Sequence, residues 1–181
     1  MKDLSLHILD IVQNSISAKA RLIEIEIEED VEKNMFQIRI KDNGCGMTEE
    51  TAQKALDPFY TSRTTRKVGL GLPLFKQNAE QTGGNLTITS ELTKGTTVTA
   101  TFIHNHLDRP SLGDIVGVMG ILIMANPTID FIYTHSLNNE IAEFDTRPVK
   151  EELDEIPIHL PEVIRSLKEM MRNNLKEIHV L

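Results

Sequence analysis

Two stretches of strict alternation stand out along the chain. IEIEIE at 23–28 and FQIRI at 36–40 place an apolar side chain at every second position, the signature of strands with one buried face. Asn34 and the charges before it supply the turn between them, so the two are expected as antiparallel neighbours. Upstream, residues 3–20 read as a helix. Leu9, Val12, Ile16 and Ala20 form one apolar stripe, and His7, Asp10, Asn14 and Ser17 form a polar stripe at the same spacing. Downstream, Thr48 caps a short helix ending near Leu56, and Pro58 stops it. Residues 58–70 lack periodicity and read as a loop. A helix from about Leu72 to Gln81 ends at Gly83–Gly84. LTITSE at 86–91 and TTVTATF at 96–102 are two more strands, with Lys94–Gly95 at their hairpin turn.

A boundary is expected near His104–Pro110. It divides the chain into a unit at 1–104 and a small α+β appendage at 105–181 that packs on the main sheet or on a partner. Pro110 and Ser111 open a helix there, with Asp114 completing a capping box. TIDFIYTH at 128–135 and EIAEFDT at 140–146 form a hairpin around Asn138–Asn139, and Pro161 opens a last helix through about Asn174. The run IVGVMGILIMA at 115–125 is too short to span a bilayer, which takes ~20 residues, and reads as a buried helix.

The net charge of −8 argues against general binding to nucleic acid or anionic membrane. Between Pro58 and Ala79, however, Arg63, Arg66, Lys67 and Lys76 meet no acidic residue. One cysteine, Cys45, suits a cytoplasmic setting.

Three segments carry candidate chemistry. In DNGCGM at 42–47, Asp42 can accept a hydrogen bond from the exocyclic amine of adenine, where guanine presents a carbonyl. Gly44 and Gly46 let the backbone approach a base, and Met47 offers a soft surface to its face. The same residues also make an ordinary tight turn. Asp10 and Asn14 lie four apart and face one way. Asn14 suits Mg²⁺ as an oxygen ligand, and Asp10 suits the positioning or deprotonation of a nucleophile attacking a γ-phosphate. Each also reads as an ordinary helix residue. In VGLGL at 68–72, glycines beside a helix start expose N–H groups to an anion, and TSRTTRK before it offers hydroxyls and cations.

The fixed order NSISA, DNGCGM, DPFYTS, GLGL and KGTTVTATF resembles the ATPase domain shared by gyrase, MutL, heat-shock chaperones and histidine kinases, over about residues 5–103. DPFYTS and QTGGNLTITSELTKGTTVTATF look most like the histidine-kinase branch. The resemblance implies a two-layer α/β sandwich, a mixed sheet with helices on one face, that binds ATP with Mg²⁺. It implies that Asn14 holds the metal, that Asp42 reads adenine, helped by a water and by Thr96, that Gly44 and Gly46 line the base pocket with Ala18 and Met47 also at the nucleotide, and that Phe59, Thr61, Ser62, Arg63 and Lys67 belong to a lid. Val68, Gly69, Leu70, Gly71 and Leu72 line the phosphates, and Asp10 stands where the family usually has a glutamate general base. Ser17 replaces a lysine common in kinases, and Lys67 replaces a glycine before Val68.

No phosphoacceptor domain is expected before the Asn14 helix, and His7 is expected to belong to that helix. The expectation is therefore a kinase-like ATPase acting on a separate protein, as stand-alone anti-sigma serine kinases do. The alternative is an ATP-gated interaction module with little phosphoryl transfer. A similar tail accompanies ATPases linked to redox enzymes, which implies a regulatory tie of that kind. His104 and His106 read as structural rather than metal-binding, and a homo-oligomer stays open.

Overall fold

The computed structural model describes residues 3–57 and 70–181. Strands β1 (Leu22–Asp30), β2 (Met35–Asp42), β3 (Asn85–Glu91), β4 (Gly95–Ile103), β5 (Asp130–Leu137) and β6 (Glu140–Asp145) form one sheet in the order β3-β4-β2-β1-β5-β6. Five of its helices are α1 (Leu4–Ser17), α3 (Gly71–Gln81), α4 (Ile115–Ala125), α5 (Thr146–Leu153) and α6 (Pro161–Glu177); α2 (Glu49–Lys54) is short and lies beside β3. α3, α1, α4 and α6 stand side by side over one face.

The alternating strands set that layering. Ile23, Ile25 and Ile27 of β1, Phe36, Ile38 and Ile40 of β2, and Val98, Ala100 and Phe102 of β4 all point into the helix layer and are buried. Their neighbours on the outer face pair across strands: Lys41 Nζ donates to Glu24 at 3.0 Å, and Arg39 binds Glu26. Such exposed pairs add little stability, but they fix which face is wet.

β1 and β2 are antiparallel as expected. Less expected is the other neighbour of β1. β5 lies parallel to it, with Ile23 opposite Phe131 and Ile27 opposite His135. The C-terminal strands thus extend the N-terminal sheet rather than building one of their own. Parallel pairing has no local turn to announce it, so only the hairpin β5–β6 was visible in sequence.

Other departures are local. α1 is shorter than the predicted 3–20: Asp3 caps it through a bond to Leu6 N, and Ala18 ends it. Its buried face is Leu4, Ile8, Ile11, Val12 and Ser15, while Leu9 and Ile16 are only half-buried. His7 does not join a wet polar stripe. It is fully buried, stacks on Phe75 with ring centroids 4.9 Å apart, and its Nε2 lies 2.8 Å from Asn78 Nδ2. Both α3 and α4 flank α1. α4 begins at Ile115 rather than after Pro110, because Asp114 itself is the cap and accepts from Gly117 N at 2.8 Å. α5 escaped prediction because TRPVKEEL contains a proline and few apolar residues; its start is held by Asp145, which accepts from Arg147 N.

The far end of β1 carries a buried polar knot. Glu29 accepts from His135 Nε2 and from His104 Nε2, each at 2.8 Å, and His135 Nδ1 meets the Tyr133 hydroxyl at 2.8 Å. Burial pushes the Glu29 carboxyl up, but the bonds from His135 and His104 outweigh it and hold it below its usual range. His104 is therefore a structural ligand of Glu29, and His106 Nδ1 accepts from Asp108 N at 3.1 Å.

Burial lowers the His7 pKa from 6.5 to about 4. Between those values the unfolded chain takes up a proton that the folded chain refuses, so stability falls as pH drops through that window. Urea melts at pH 7, 6 and 5 should show this slope, and His7→Leu should flatten it.

Candidate functional site

At the end of the sheet away from Glu29, the apolar inner face gives way to polar groups. Strand register puts Phe131, Ile23, Asp42, Thr96 and Ser90 in one cross-strand row on β5, β1, β2, β4 and β3. The next row inward is Tyr133, Ile25, Ile40, Val98 and Ile88. Asp42, Thr96 and Ser90 thus form a polar rim on an apolar floor.

Asp42 is only 8% exposed. Its Oδ2 accepts from Ser15 Oγ at 2.6 Å and its Oδ1 from Gly44 N at 2.8 Å. The short hydroxyl contact has the length of a charge-assisted bond. Each carboxylate oxygen keeps further acceptor capacity after these two bonds.

The loop after Asp42 is pinned on three sides. Asn43 Oδ1 accepts from Arg21 N and Leu22 N, at 2.8 and 3.0 Å. Cys45 N donates to Ala18 O at 2.9 Å, and Cys45 O accepts from Thr93 N at 2.8 Å. Gly44 fits so closely against α1 that a Cβ there would come within 2.8 Å of Ala18 O and 2.9 Å of Ala18 Cβ. Gly46 has φ +66°, and a Cβ on it would overlap the Glu91 carbonyl. Met47 N donates to Ser90 Oγ at 2.8 Å.

Asp10 and Asn14, four apart on α1, are both half-buried, and Asp10 faces the start of α3. Gly71 opens α3, and a Cβ on it would overlap the Asp10 carboxylate. That carboxylate therefore sits at the positive end of the α3 dipole. Leu70 precedes the helix as its N-cap position, and Leu72 packs on the core. Among the described residues, no cluster of three acidic, histidine or cysteine side chains can hold a metal. Asn14 with one carboxylate matches a cation that keeps most of its waters and takes other oxygens from a phosphate.

The structure thus gathers Ala18, Asp42, Gly44, Gly46, Met47 and Thr96 at one spot, and Asp10, Asn14, Leu70, Gly71 and Leu72 beside it. Phe59, Thr61, Ser62, Arg63, Lys67, Val68 and Gly69 lie outside the described residues. Two functional candidates went unnoticed in sequence, Ser15 and Ser90. Each is a hydroxyl set on a buried phase: Ser15 on the stripe of Leu4, Ile8 and Ile11, Ser90 on that of Leu86 and Ile88.

Comparison with known proteins bears on this arrangement. Residues 2–106 match the family described as histidine kinase-, DNA gyrase B- and HSP90-like ATPase, and the chain belongs to that family. It is 34% identical over 97 residues to a putative sensor protein of Shewanella frigidimarina, covering 52% of this chain and 15% of that protein. It is 42% identical over 79 residues to the sensor protein SrrB of Staphylococcus aureus, covering 41% and 14%, and 29% identical over 97 residues to the sensor histidine kinase YvrG of Bacillus subtilis, covering 51% and 17%. The chain therefore spans under a fifth of these relatives' length. In fold it is similar to the N-terminal domain of a DNA repair protein, with TM-score 0.58 and 19% identity over 80% of this chain and 52% of that one. It is also similar to the Aquifex aeolicus MutL ATPase domain complexed with ADP, with TM-score 0.51 and 17% identity over 86% and 68%. Among the described residues, no helix is long and apolar enough to cross a membrane.

Proposed function

We propose that residues 1–104 form an ATP-binding unit of the histidine-kinase type, and that the protein works in the cytoplasm as a kinase or ATPase on a separate partner protein, with 105–181 as a subdomain that serves this partner. The observation that carries the reading is Asp42: a buried carboxylate at the rim of an apolar floor, held by Ser15 and Gly44, with acceptor capacity to spare. A flat apolar ring with one exocyclic amine suits such a place, and adenine is that ring.

Placement supports a role for each of these residues. Ser15 fixes the Asp42 carboxylate. Gly44 and Gly46 let the loop close against Ala18 and the Glu91 backbone beside the base, and Met47 lies against its face. Gly71 offers helix N–H groups to phosphate, and Asp10 positions or deprotonates the attacking hydroxyl or water. Asn14 would hold Mg²⁺, which when bound neutralises charge on the triphosphate oxygens. Ser15→Ala should weaken ATP binding about tenfold, the worth of one bond to a charged group, as measured by titration calorimetry.

Incubation with γ-labelled ATP tests the activity, with and without a lysate from the source cells. Label on a second protein supports the kinase, and label on inorganic phosphate supports the ATPase. Binding with neither product sinks both and leaves an ATP-gated interaction module. One feature favours keeping that second reading: Ile23 lies between Asp42 and Phe131 in a single row, so the C-terminal strands adjoin the site through one side chain.

A further inference from the structure

β6 is an outermost strand of the sheet, and it lies beyond residues 2–106 that match the family. Its hairpin with β5 closes on Leu137 and Glu140 across a two-residue turn, so that pair exchanges backbone bonds and bonded pairs alternate from there. Glu140, Ala142 and Phe144 therefore turn their N–H and C=O groups to β5, while Ile141, Glu143 and Asp145 turn theirs outward. Asp145 ends the strand as the cap of α5. The Glu143 carbonyl is met by Asn174 Nδ2 at a long 3.5 Å. Among the described residues, Ile141 N–H, Ile141 O and Glu143 N–H have no partner, and Ile141 is 65% exposed. The opposite edge differs: β3 is flanked by α2 and by the loop of Gly46 and Met47.

Beside this open edge lies a cleft of about 170 Å³, open to solvent and walled by Ala142 and Phe144 of β6, Tyr133 of β5, and Met171 and Leu175 of α6. A strand laid along β6 would turn every second side chain toward that cleft and the others toward the outer face, beside Ile141 and Glu143. Charge then limits what can lie there. Asp145 is matched by Arg147. Glu140 and Glu143 are exposed, have no ion pair among the described residues, and share β6 with no basic residue. Two copies of β6 set edge to edge would bring these acids together with no base between them, which is unfavourable. An acidic edge beside an apolar cleft suits a strand that alternates Lys or Arg with small apolar residues.

We infer that β6 is a strand-addition site for an extended basic segment of another protein, one that alternates Lys or Arg with small apolar side chains. The inference rests on the reading of residues 105–181 as the part that serves a partner, and it gives that partner its chemistry. Backbone bonds to Ile141 and Glu143 supply affinity, while the cleft and the Glu143 carboxylate select the sequence. Three of those backbone groups are ready without rearrangement. The fourth, the Glu143 carbonyl, is released when Asn174 swings off its long contact.

The test is fluorescence anisotropy on the full chain without nucleotide, using a fluorescein-labelled short peptide of alternating Lys and Val. A peptide with the same residues in two blocks controls for charge alone, and one of alternating Glu and Val controls for sign. The alternating basic peptide should bind about tenfold tighter than the block peptide or better, and the acidic one should not bind. Ile141→Pro removes an outward N–H that β5 does not use, so it should melt close to wild type and bind the alternating peptide no better than the block peptide. Glu143→Lys should weaken binding about tenfold, and it serves if the proline variant does not fold. Equal binding of the alternating and block peptides, or an affinity within about twofold of wild type in both variants, overturns the inference. So does self-association of the wild type, seen by sedimentation, that Ile141→Pro abolishes, since the edge then belongs to a second copy. ATP binding measured in parallel separates the readings: its loss with peptide binding intact touches only the ATP site, and the reverse sinks the inference alone.

Discussion

Asp42→Asn should lower ATP affinity roughly a hundredfold, about 2.7 kcal/mol, while leaving the melting temperature close to wild type. The substitution keeps size and burial. It replaces one acceptor oxygen with an amide N–H₂ group. If the amide nitrogen takes the Oδ2 place it faces the Ser15 hydroxyl, and if it takes the Oδ1 place it faces Gly44 N–H. Either way the charge that strengthens every bond at this point is gone, and a donor is presented to the amine of the base. Calorimetry on the purified variant gives the number. An affinity within a factor of about three of wild type would mean that the base lies elsewhere.

A large stability effect is expected at Gly46. Its φ of +66° is costly for a residue with a side chain, and the group in the way is the Glu91 backbone carbonyl rather than a side chain that can swing aside. Gly46→Ala should cost about 3 kcal/mol and lower the melting temperature by roughly 6–12 °C. ATP binding should weaken as well, since Met47 is displaced from Ser90. Gly71→Ala makes a useful contrast. There the obstacle is the flexible end of Asp10, which can move. A Gly46→Ala protein that melts with the wild type would show that the loop has another conformation of equal stability.

Much of this layout could be read from the chain, for identifiable reasons. Alternation at 23–28 and 36–40 encodes both the strand and its wet face, because the period of two belongs to each residue separately. Asp42 and the two glycines were visible because loop chemistry is local. His7 misled, because helical spacing reports which residues share a side and not how many neighbours crowd that side. α1 is walled by α3 and α4, and only the assembled layer shows it. Ser15 and Ser90 stayed hidden for a related reason. A hydroxyl on a buried phase looks like a packing fault until its partner, Asp42 in one case and Gly95 with Thr96 in the other, is known.

β1 is hydrogen-bonded on both sides, to β2 just after it and to β5 more than a hundred residues later. During synthesis the ribosome must therefore deliver everything through Leu137 before the strand that carries Ile23, and so flanks Asp42, gains its second partner. Until then β1 is an open edge bearing Ile23, Ile25 and Ile27, the kind of surface that chaperones bind and that aggregates when they do not. The rate at which the protein matures should thus be governed by its last third, although the family match covers residues 2–106.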